Sequence, residues 1–276
     1  MLKTGDQWWN TAAEKLRSRD GRQEIATWLR RNAYHVADYL REPVMVFAAF
    51  YFVASAIAQP FYVPSGSMQP SLAIGDLLIA TKYSYGYNRY SLPFAGGDTP
   101  KTRLFASLPQ AGDVVVFRKP GDTATTLVKR VVGLPGDRVQ MRAGHLWING
   151  KELSLKAEGY GKVEDGPGEP SPGTYFTVAR YTETLPNGRE HPVFKKYWGT
   201  AYDETVEYHV PEGHLFVMGD NRDDSADSRA DVGFLPVGNV MGRAQFVLAS
   251  VDFVNASGIW AWPLQFRVKR LLSRIP

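Results

Sequence analysis

The chain has 276 residues, of which 44% are hydrophobic and 22% charged, enough for one sizeable folded domain with appendages and too apolar for a disordered polymer. Its formal charge of +4 is small for that length, and the basic residues gather at the two ends, which argues against nucleic acid as a partner. There is no cysteine, so disulfide frameworks and thiolate metal sites are excluded, and nothing in the sequence calls for a metal or a cofactor.

Residues 1–42 carry a helical pattern, with Trp8, Trp9, Ala12 and Leu16 and then Ile25, Trp28 and Leu29 spaced by three and four among charges. The spacing predicts an N-terminal segment of two short amphipathic helices, interrupted near Arg17 to Arg22. Next comes an uncharged run, Val44 to Ala58, between Pro43 and Pro60. At about 1.5 Å per residue it is about 22 Å long as a helix, short against a hydrocarbon core of about 30 Å, so Tyr39, Leu40 and Phe61 must extend it. We read residues 43–60 as one transmembrane helix; the alternative is a core helix of a soluble protein. Arg22, Arg30, Arg31 and Arg41 precede the run and no basic residue lies between Gln59 and Ala80, which predicts a cytoplasmic N-terminus and places everything after the run across the membrane.

Beyond Pro60 the texture is strand and turn, and the expected fold class is mostly β. The predicted strands are Gly75–Thr81, Asp113–Arg118, Thr126–Val132, Arg138–Met141, His145–Ile148, Tyr175–Tyr181, His214–Met218 and Val240–Ser250, separated by turn chemistry such as Gly136-Asp137 and Asn149-Gly150. Residues 61–150 and 211–259 are expected to form one β domain. The stretch 151–210, with its Asp165–Gly173 loop rich in glycine and proline, reads as an inserted β subdomain. The last stretch, 260–276, sets Leu264, Val268, Leu271, Leu272 and Ile275 against Arg267, Lys269, Arg270 and Arg274, and reads as a basic amphipathic helix that would lie on anionic lipid or in solvent.

The residues that carry chemistry follow the apolar run directly. Ser65-Gly66-Ser67 stands between Pro64 and Pro70, where Gly66 lets the backbone turn sharply. A serine needs a base within hydrogen-bond reach before it is a useful nucleophile. The five histidines, His35, His145, His191, His209 and His214, stand in no recognised catalytic neighbourhood. The other option is Lys129, in Leu127-Val-Lys-Arg-Val-Val-Gly-Leu-Pro-Gly-Asp137, where alternation puts it on one face with Leu127 and Val131. Burial that lowered its pKa by about 3 units from about 10.4 would cost roughly 4 kcal/mol and make it able to accept a serine proton. A lysine whose stem packs while its ammonium reaches water is the bland alternative.

Five blocks occur in one order: Val63-Pro-Ser-Gly-Ser-Met-Gln-Pro-Ser-Leu72, Gly75-Asp76, Gly112-Asp-Val-Val-Val-Phe117, Lys129-Arg-Val-Val-Gly-Leu-Pro-Gly-Asp137 and Gly219-Asp-Asn-Arg-Asp-Asp-Ser-Ala-Asp-Ser-Arg229. Together they resemble the bacterial type I signal peptidases, membrane proteases with a serine and lysine dyad. The resemblance implies a signal-peptidase-like β-fold in which Ser67 is the nucleophile, Lys129 the general base, and the Ser65 hydroxyl joins the Ser67 amide in an oxyanion hole. It implies that Ser225 hydrogen-bonds the lysine, that Arg130, Asp220, Asp227 and Arg229 hold the site together, and that Phe61, Val63, Leu72, Leu78, Val116 and Val128 line shallow pockets for substrate side chains.

By the same resemblance the partners are preprotein signal peptides and a lipid bilayer. The place is the bacterial inner membrane, in a single pass, with the catalytic domain on the extracytoplasmic side. Without the resemblance, the last block would read as a solvated acidic loop or a calcium site, although its spacing does not fit an EF-hand loop. Rival readings are a related protease dedicated to pilus or conjugation substrates, a membrane-anchored module that binds without catalysis, and a self-cleaving repressor-type protease. The long segment before the apolar run is not part of the family pattern, and Tyr83 to Leu108 resembles an insertion found in some Gram-negative members.

Overall fold

Short apolar runs broken by glycine and proline cannot build long helices, and beyond residue 57 the described residues make fifteen strands. The structure, a computed structural model, describes residues 18–91, 102–166, 171–252 and 265–276. The chain divides into two compact units, residues 1–52 and 53–276.

The helix α1 runs from Arg19 to Ala56 with Pro43 inside it. The amphipathic and apolar stretches are therefore one helix, not two elements parted at the proline. The backbone bond that Pro43 cannot make is a local loss, outweighed by regular turns on both sides. The expected earlier helix, with Trp8, Trp9, Ala12 and Leu16, lies outside the described residues. Among the described residues no helix is long and apolar enough to cross a membrane. The reason is visible at the end of the apolar run: α1 stops at Ala56, and Ala58 already belongs to a strand. The apolar side chains of that part of α1, among them Val46, Phe47, Phe50 and Phe52, are exposed.

The strands are β1 (Ala58–Tyr62), β2 (Asp76–Thr81), β3 (Val114–Lys119), β4 (Asp122–Gly133), β5 (Arg138–Arg142), β6 (His145–Ile148), β7 (Lys151–Glu152), β8 (Ser154–Glu164), β9 (Tyr175–Thr184), β10 (Glu190–Lys195), β11 (Tyr208–His209), β12 (His214–Met218), β13 (Leu235–Pro236), β14 (Val240–Ser250) and β15 (Ser273–Arg274). The main sheet has the order β1-β2-β14-β3-β4-β12-β13, with β15 added to β14. The strand β1 is not expected from the sequence, since Pro60 interrupts it. It is tolerated because β1 is an edge strand, where a missing N–H breaks no second ladder. A second sheet, β11-β5-β6-β7, and a third, β10-β9-β8, complete the architecture. The third sheet lies within 151–210, whereas β7 and β11, at the two ends of that stretch, pair with β6 and β5.

The main sheet is buried on both faces. Val63, Met68, Leu72, Leu78, Val116 and Val247 pack in one cluster, and Val115, Phe117, Val131, Val217 and Leu235 in another. Alternation along β4 sends Leu127 and Val131 to one cluster and Val128 to the other.

The C-terminal stretch departs from expectation. From residue 265 onward the chain is a 3-10 turn, Val268–Arg270, followed by β15, and not a helix. Charge pairing decides this. Arg267 reaches Glu164 at 3.1 Å and Asp252 at 3.3 Å, and Arg270 reaches Asp76 at 2.5 Å, which an extended chain lying against β14 allows. Trp260 to Leu264, the start of the expected helix, lies outside the described residues.

Candidate active site

The serine block folds as a single 3-10 turn, Gly66–Met68, entered from the extended residue Ser65. Gly66 has little room, since a Cβ there would stand 2.7 Å from Gln69 Nε2 and 3.1 Å from the Glu164 carbonyl oxygen. Gln69, itself buried, holds the turn from one side: its Nε2 donates to the Glu164 carbonyl at 2.9 Å and its Oε1 accepts from the Glu164 amide at 3.0 Å. Ser67 is half-buried and Ser65 exposed, and the Ser65 hydroxyl makes no capping bond.

Lys129 comes to this turn from β4. Its Nζ is 2.6 Å from Ser67 Oγ, across 62 residues of sequence, and its side chain is only 3% exposed. Burial pushes the amine down from the ordinary lysine range, the Asp227, Asp220 and Asp231 carboxylates pull it partly back, and the result is about 8. The amine donates to Ser67 Oγ, and in the fraction of molecules in which it is neutral its lone pair is within reach of the serine proton. Such a pair can remove a proton from Ser67 and return it elsewhere.

The four histidines beyond Pro60 offer no competing base. His191 is buried between Glu183 at 3.4 Å and Asp220 at 4.0 Å, and burial, reinforced by Arg130, pushes its pKa down to about 4. His145 meets Glu152, His209 meets Glu207, and the His214 ring lies against the Glu212 carbonyl.

The acidic block folds over the turn, and its carboxylates face separate protein cations. Asp220 takes a bidentate pair from Arg130 at 2.8 and 2.7 Å, and Asp227 one from Arg229 at 3.0 and 2.8 Å. Burial pushes both carboxyls up, but the guanidinium beside each outweighs it and holds them below the usual carboxylate range. Asp223 meets Lys195 at 2.7 Å and Asp224 meets Lys196 at 2.5 Å. Arg130 also donates to the carbonyls of Gly112 and Pro276, each at 2.8 Å, and to Ser71 Oγ at 3.1 Å. Arg130, Asp220, Asp227 and Arg229 thus meet as two buried ion pairs beside the turn.

Ser225 differs from its expected place. Its hydroxyl is buried without a hydrogen-bond partner, and the amine of Lys129 bonds Ser67 instead. Packing explains this: a Cβ on Gly219 would stand 2.2 Å from Ser225 Oγ and 2.5 Å from the Ser67 carbonyl oxygen, so the Ser225 hydroxyl lies against the main chain of Gly219.

Of the apolar residues expected to line pockets, Val63, Leu72, Leu78 and Val116 are buried in one cluster, with Phe61 and Val128 half-buried against it. Only the last two offer appreciable surface beside the turn. Sequence reasoning missed Gln69, Glu183, His191, Lys195 and Arg222, all of them buried. The one available signal was the polar Gln69 between Met68 and Pro70, in a turn otherwise made of small and apolar residues.

The family model described as signal peptidase, peptidase S26, matches residues 36–249 of this chain. Signal peptidase I of Rickettsia akari (strain Hartford) is 40% identical over 226 residues, covering 79% of this chain and 79% of that protein. Signal peptidase I of Rickettsia typhi (strain ATCC VR-144 / Wilmington) is 40% identical over 215 residues, covering 73% of this chain and 78% of its own length. A crystal structure of a signal peptidase I from Enterococcus faecalis V583 is 27% identical and covers 50% of this chain and 97% of that one, with a TM-score of 0.29, too loose a superposition to bear on the fold.

Proposed function

The chain belongs to the signal peptidase family, peptidase S26, whose members are serine endopeptidases that remove signal peptides, and from that premise we propose that it cuts preproteins with Ser67 as nucleophile and Lys129 as general base. The observation that carries the proposal is the 2.6 Å contact between Ser67 Oγ and a buried Lys129 Nζ. Neutral Lys129 takes the Ser67 proton as Oγ adds to the scissile carbonyl. The developing oxyanion accepts hydrogen bonds from the Ser67 amide and the Ser65 hydroxyl, each such donor being worth about 3 to 4 kcal/mol of barrier. The ammonium of Lys129 then protonates the leaving amine, freeing the mature protein and leaving an acyl-enzyme. Water that gives a proton to the same amine attacks the ester, and the amine passes that proton to Ser67 Oγ as the bond to the acyl carbon breaks and the signal peptide leaves.

The charged supporting residues keep their expected parts in this reading, whereas Ser225 does not bond the lysine. Arg130 with Asp220 and Arg229 with Asp227 fix the strand and loop on either side of the dyad. Phe61 and Val128 form the walls of the substrate groove, backed from beneath by the buried Val63, Leu72, Leu78 and Val116. The catalytic domain expected over 61–150 and 211–259 also takes in β7, β11 and β15 through their pairing with β6, β5 and β14, and the insertion is the three-stranded sheet of β8, β9 and β10.

The same proposal includes a membrane anchor. The apolar part of α1, from Pro43 to Ala56 and helped by Tyr39 and Leu40, crosses the bacterial inner membrane once, with the N-terminus cytoplasmic and the catalytic domain extracytoplasmic; the bounds 43–60 read from the sequence are cut back because Ala58–Tyr62 form β1. Support comes from the exposed apolar side chains of α1 beyond Pro43 and from the arginines that precede them.

The test is incubation of the detergent-solubilised protein with a preprotein that carries small residues before its cleavage site, with products weighed by mass spectrometry. Ser67→Ala and Lys129→Ala should each abolish cleavage and leave the protein folded, because the two groups act as a unit. Substantial turnover by either variant would overturn the assignment.

A further inference from the structure

The nucleophile turn is gripped from two sides, and both grips lead to the same inserted sheet. On one side Gln69 makes its paired bonds to the backbone of Glu164, the last residue of β8. On the other side Asn221 donates from its backbone N to the Ser67 carbonyl at 3.1 Å and from Nδ2 to the Gly66 carbonyl at 3.2 Å. Asn221 in turn forms a parallel bridge with Phe194 of β10, in which Phe194 N donates to the Asp220 carbonyl at 2.9 Å and Arg222 N to the Phe194 carbonyl at 3.0 Å.

The residues flanking this bridge are tied to the insertion by buried charges. Arg222 makes a bidentate pair with Glu183 of β9 at 2.8 and 2.5 Å. Asp223 accepts from Lys195 Nζ at 2.7 Å, from Lys196 N at 2.7 Å and from Tyr197 N at 2.9 Å. Lys195 divides its ammonium between Asp223 and Asp203, and all three side chains are at most 4% exposed. The far strand of the sheet is locked to the near one, because a Cβ on Gly161 of β8 would stand 2.4 Å from the ring of Phe194.

We propose that the three-stranded insertion is the device that fixes Ser67 in register with Lys129, with Lys195 and Gln69 as positioning residues acting on the two sides of the turn. This rests on the reading of Ser67 as nucleophile. Buried charges hold a loop in one arrangement where backbone bonds alone leave it free to drift. Misplacement of a reacting group by about 1 Å can cost 100-fold in rate, so a brace of this kind acts on turnover and leaves substrate affinity alone.

The experiment measures kcat and KM on a peptide with alanine at the first and third positions before the scissile bond, well below each variant's melting temperature. The variants are Lys195→Met, Gln69→Met, Asp203→Asn and Ser67→Ala. Lys195→Met and Gln69→Met should each lower kcat by about 10- to 100-fold with KM within about twofold of the wild type. Acylation of Ser67 by a small serine-directed reagent should slow in parallel. Asp203→Asn removes the partner of Lys195 that does not touch the acidic loop, so it should lower the melting temperature and leave kcat within about threefold. The proposal falls if Gln69→Met and a folded Lys195→Met keep wild-type kcat while Ser67→Ala is inactive, or if Asp203→Asn loses as much kcat as Lys195→Met. If Lys195→Met does not fold, Gln69→Met decides alone. Cleavage by Ser67→Ala would instead overturn the nucleophile assignment.

Discussion

At the scale of single residues, the lysine proposed as general base is also a burden on the fold. Lys129 has a pKa near 8 in the folded chain against about 10.4 in an unfolded one, so at pH 7 folding must either desolvate its charge or strip its proton. The shift corresponds to about 3 kcal/mol of lost stability at pH 7. The sign follows from proton counting: between about pH 8 and pH 10.4 the unfolded chain holds the proton and the folded one does not, so stability rises with pH through that window. Lys129→Met should therefore be inactive yet more stable than the wild type at pH 7, with the difference shrinking toward pH 10. Urea unfolding at several pH values would measure it, and a variant less stable at pH 7 would contradict the burial argument. Activity should follow the same titration, rising through pH 8 as the amine loses its proton, whereas a histidine base would give a rise near pH 6 to 7. Ser225→Ala, which removes a hydroxyl that bonds nothing in the folded chain, should lower the rate by less than about tenfold at any pH.

At the scale of elements, what was legible in the sequence was what depends on local period. The bounds of β6, β12 and β14 match the predicted strands because alternating apolar residues between turn signals leave one register that buries them. The Ser-Gly-Ser turn and Lys129 were legible as candidates through the resemblance of their blocks to the type I signal peptidases, since taken alone a serine in a loop and a lysine in an apolar strand read as structural or solvated. The edge strand β1 was hidden because its residues continue an apolar run, and only pairing with β2 separates them from the helix. Lys195, Glu183 and His191 were hidden because a charged residue in a strand looks solvated until its partner arrives from elsewhere in the chain.

The C-terminal stretch is the clearest case of tertiary override. Its helical spacing lost to ion pairs with Asp76, Glu164 and Asp252, none of them near in sequence. Asp76 is fully buried and Arg270 about one quarter exposed, so Arg270→Ala should cost about 2 kcal/mol, less than a fully buried pair would. Asp76→Asn in the same background should recover part of that loss, because it removes the stranded charge. Thermal unfolding of the single and double variants would test this, and two losses that simply add would mean that the pair is not coupled.

At the scale of the whole molecule, the remaining issue is how a protease that recognises exported substrates meets them. Arg22, Arg30, Arg31 and Arg41 precede the apolar run, and the next basic residue after it is Lys82, which is buried against the carbonyls of Ala54 and Ser91 and so offers no exposed charge near the far end of the run. In the proposed topology, loop charge of that asymmetry would hold the arginine-rich side in the cytoplasm. The proposed anchor is short, and the apolar part of α1 falls below a full bilayer crossing by about 10 Å, so in that topology flanking aromatic residues and local thinning of the bilayer must close the gap. Two outcomes follow for intact spheroplasts. Protease added outside should degrade the chain beyond Pro60 and leave a fragment that contains the arginines, and replacing Arg30, Arg31 and Arg41 together by glutamate should weaken that asymmetry and leave part of the population with its catalytic residues protected. Full protection of the wild-type catalytic region would invert the topology and remove the access to exported preproteins on which the proposed cleavage depends.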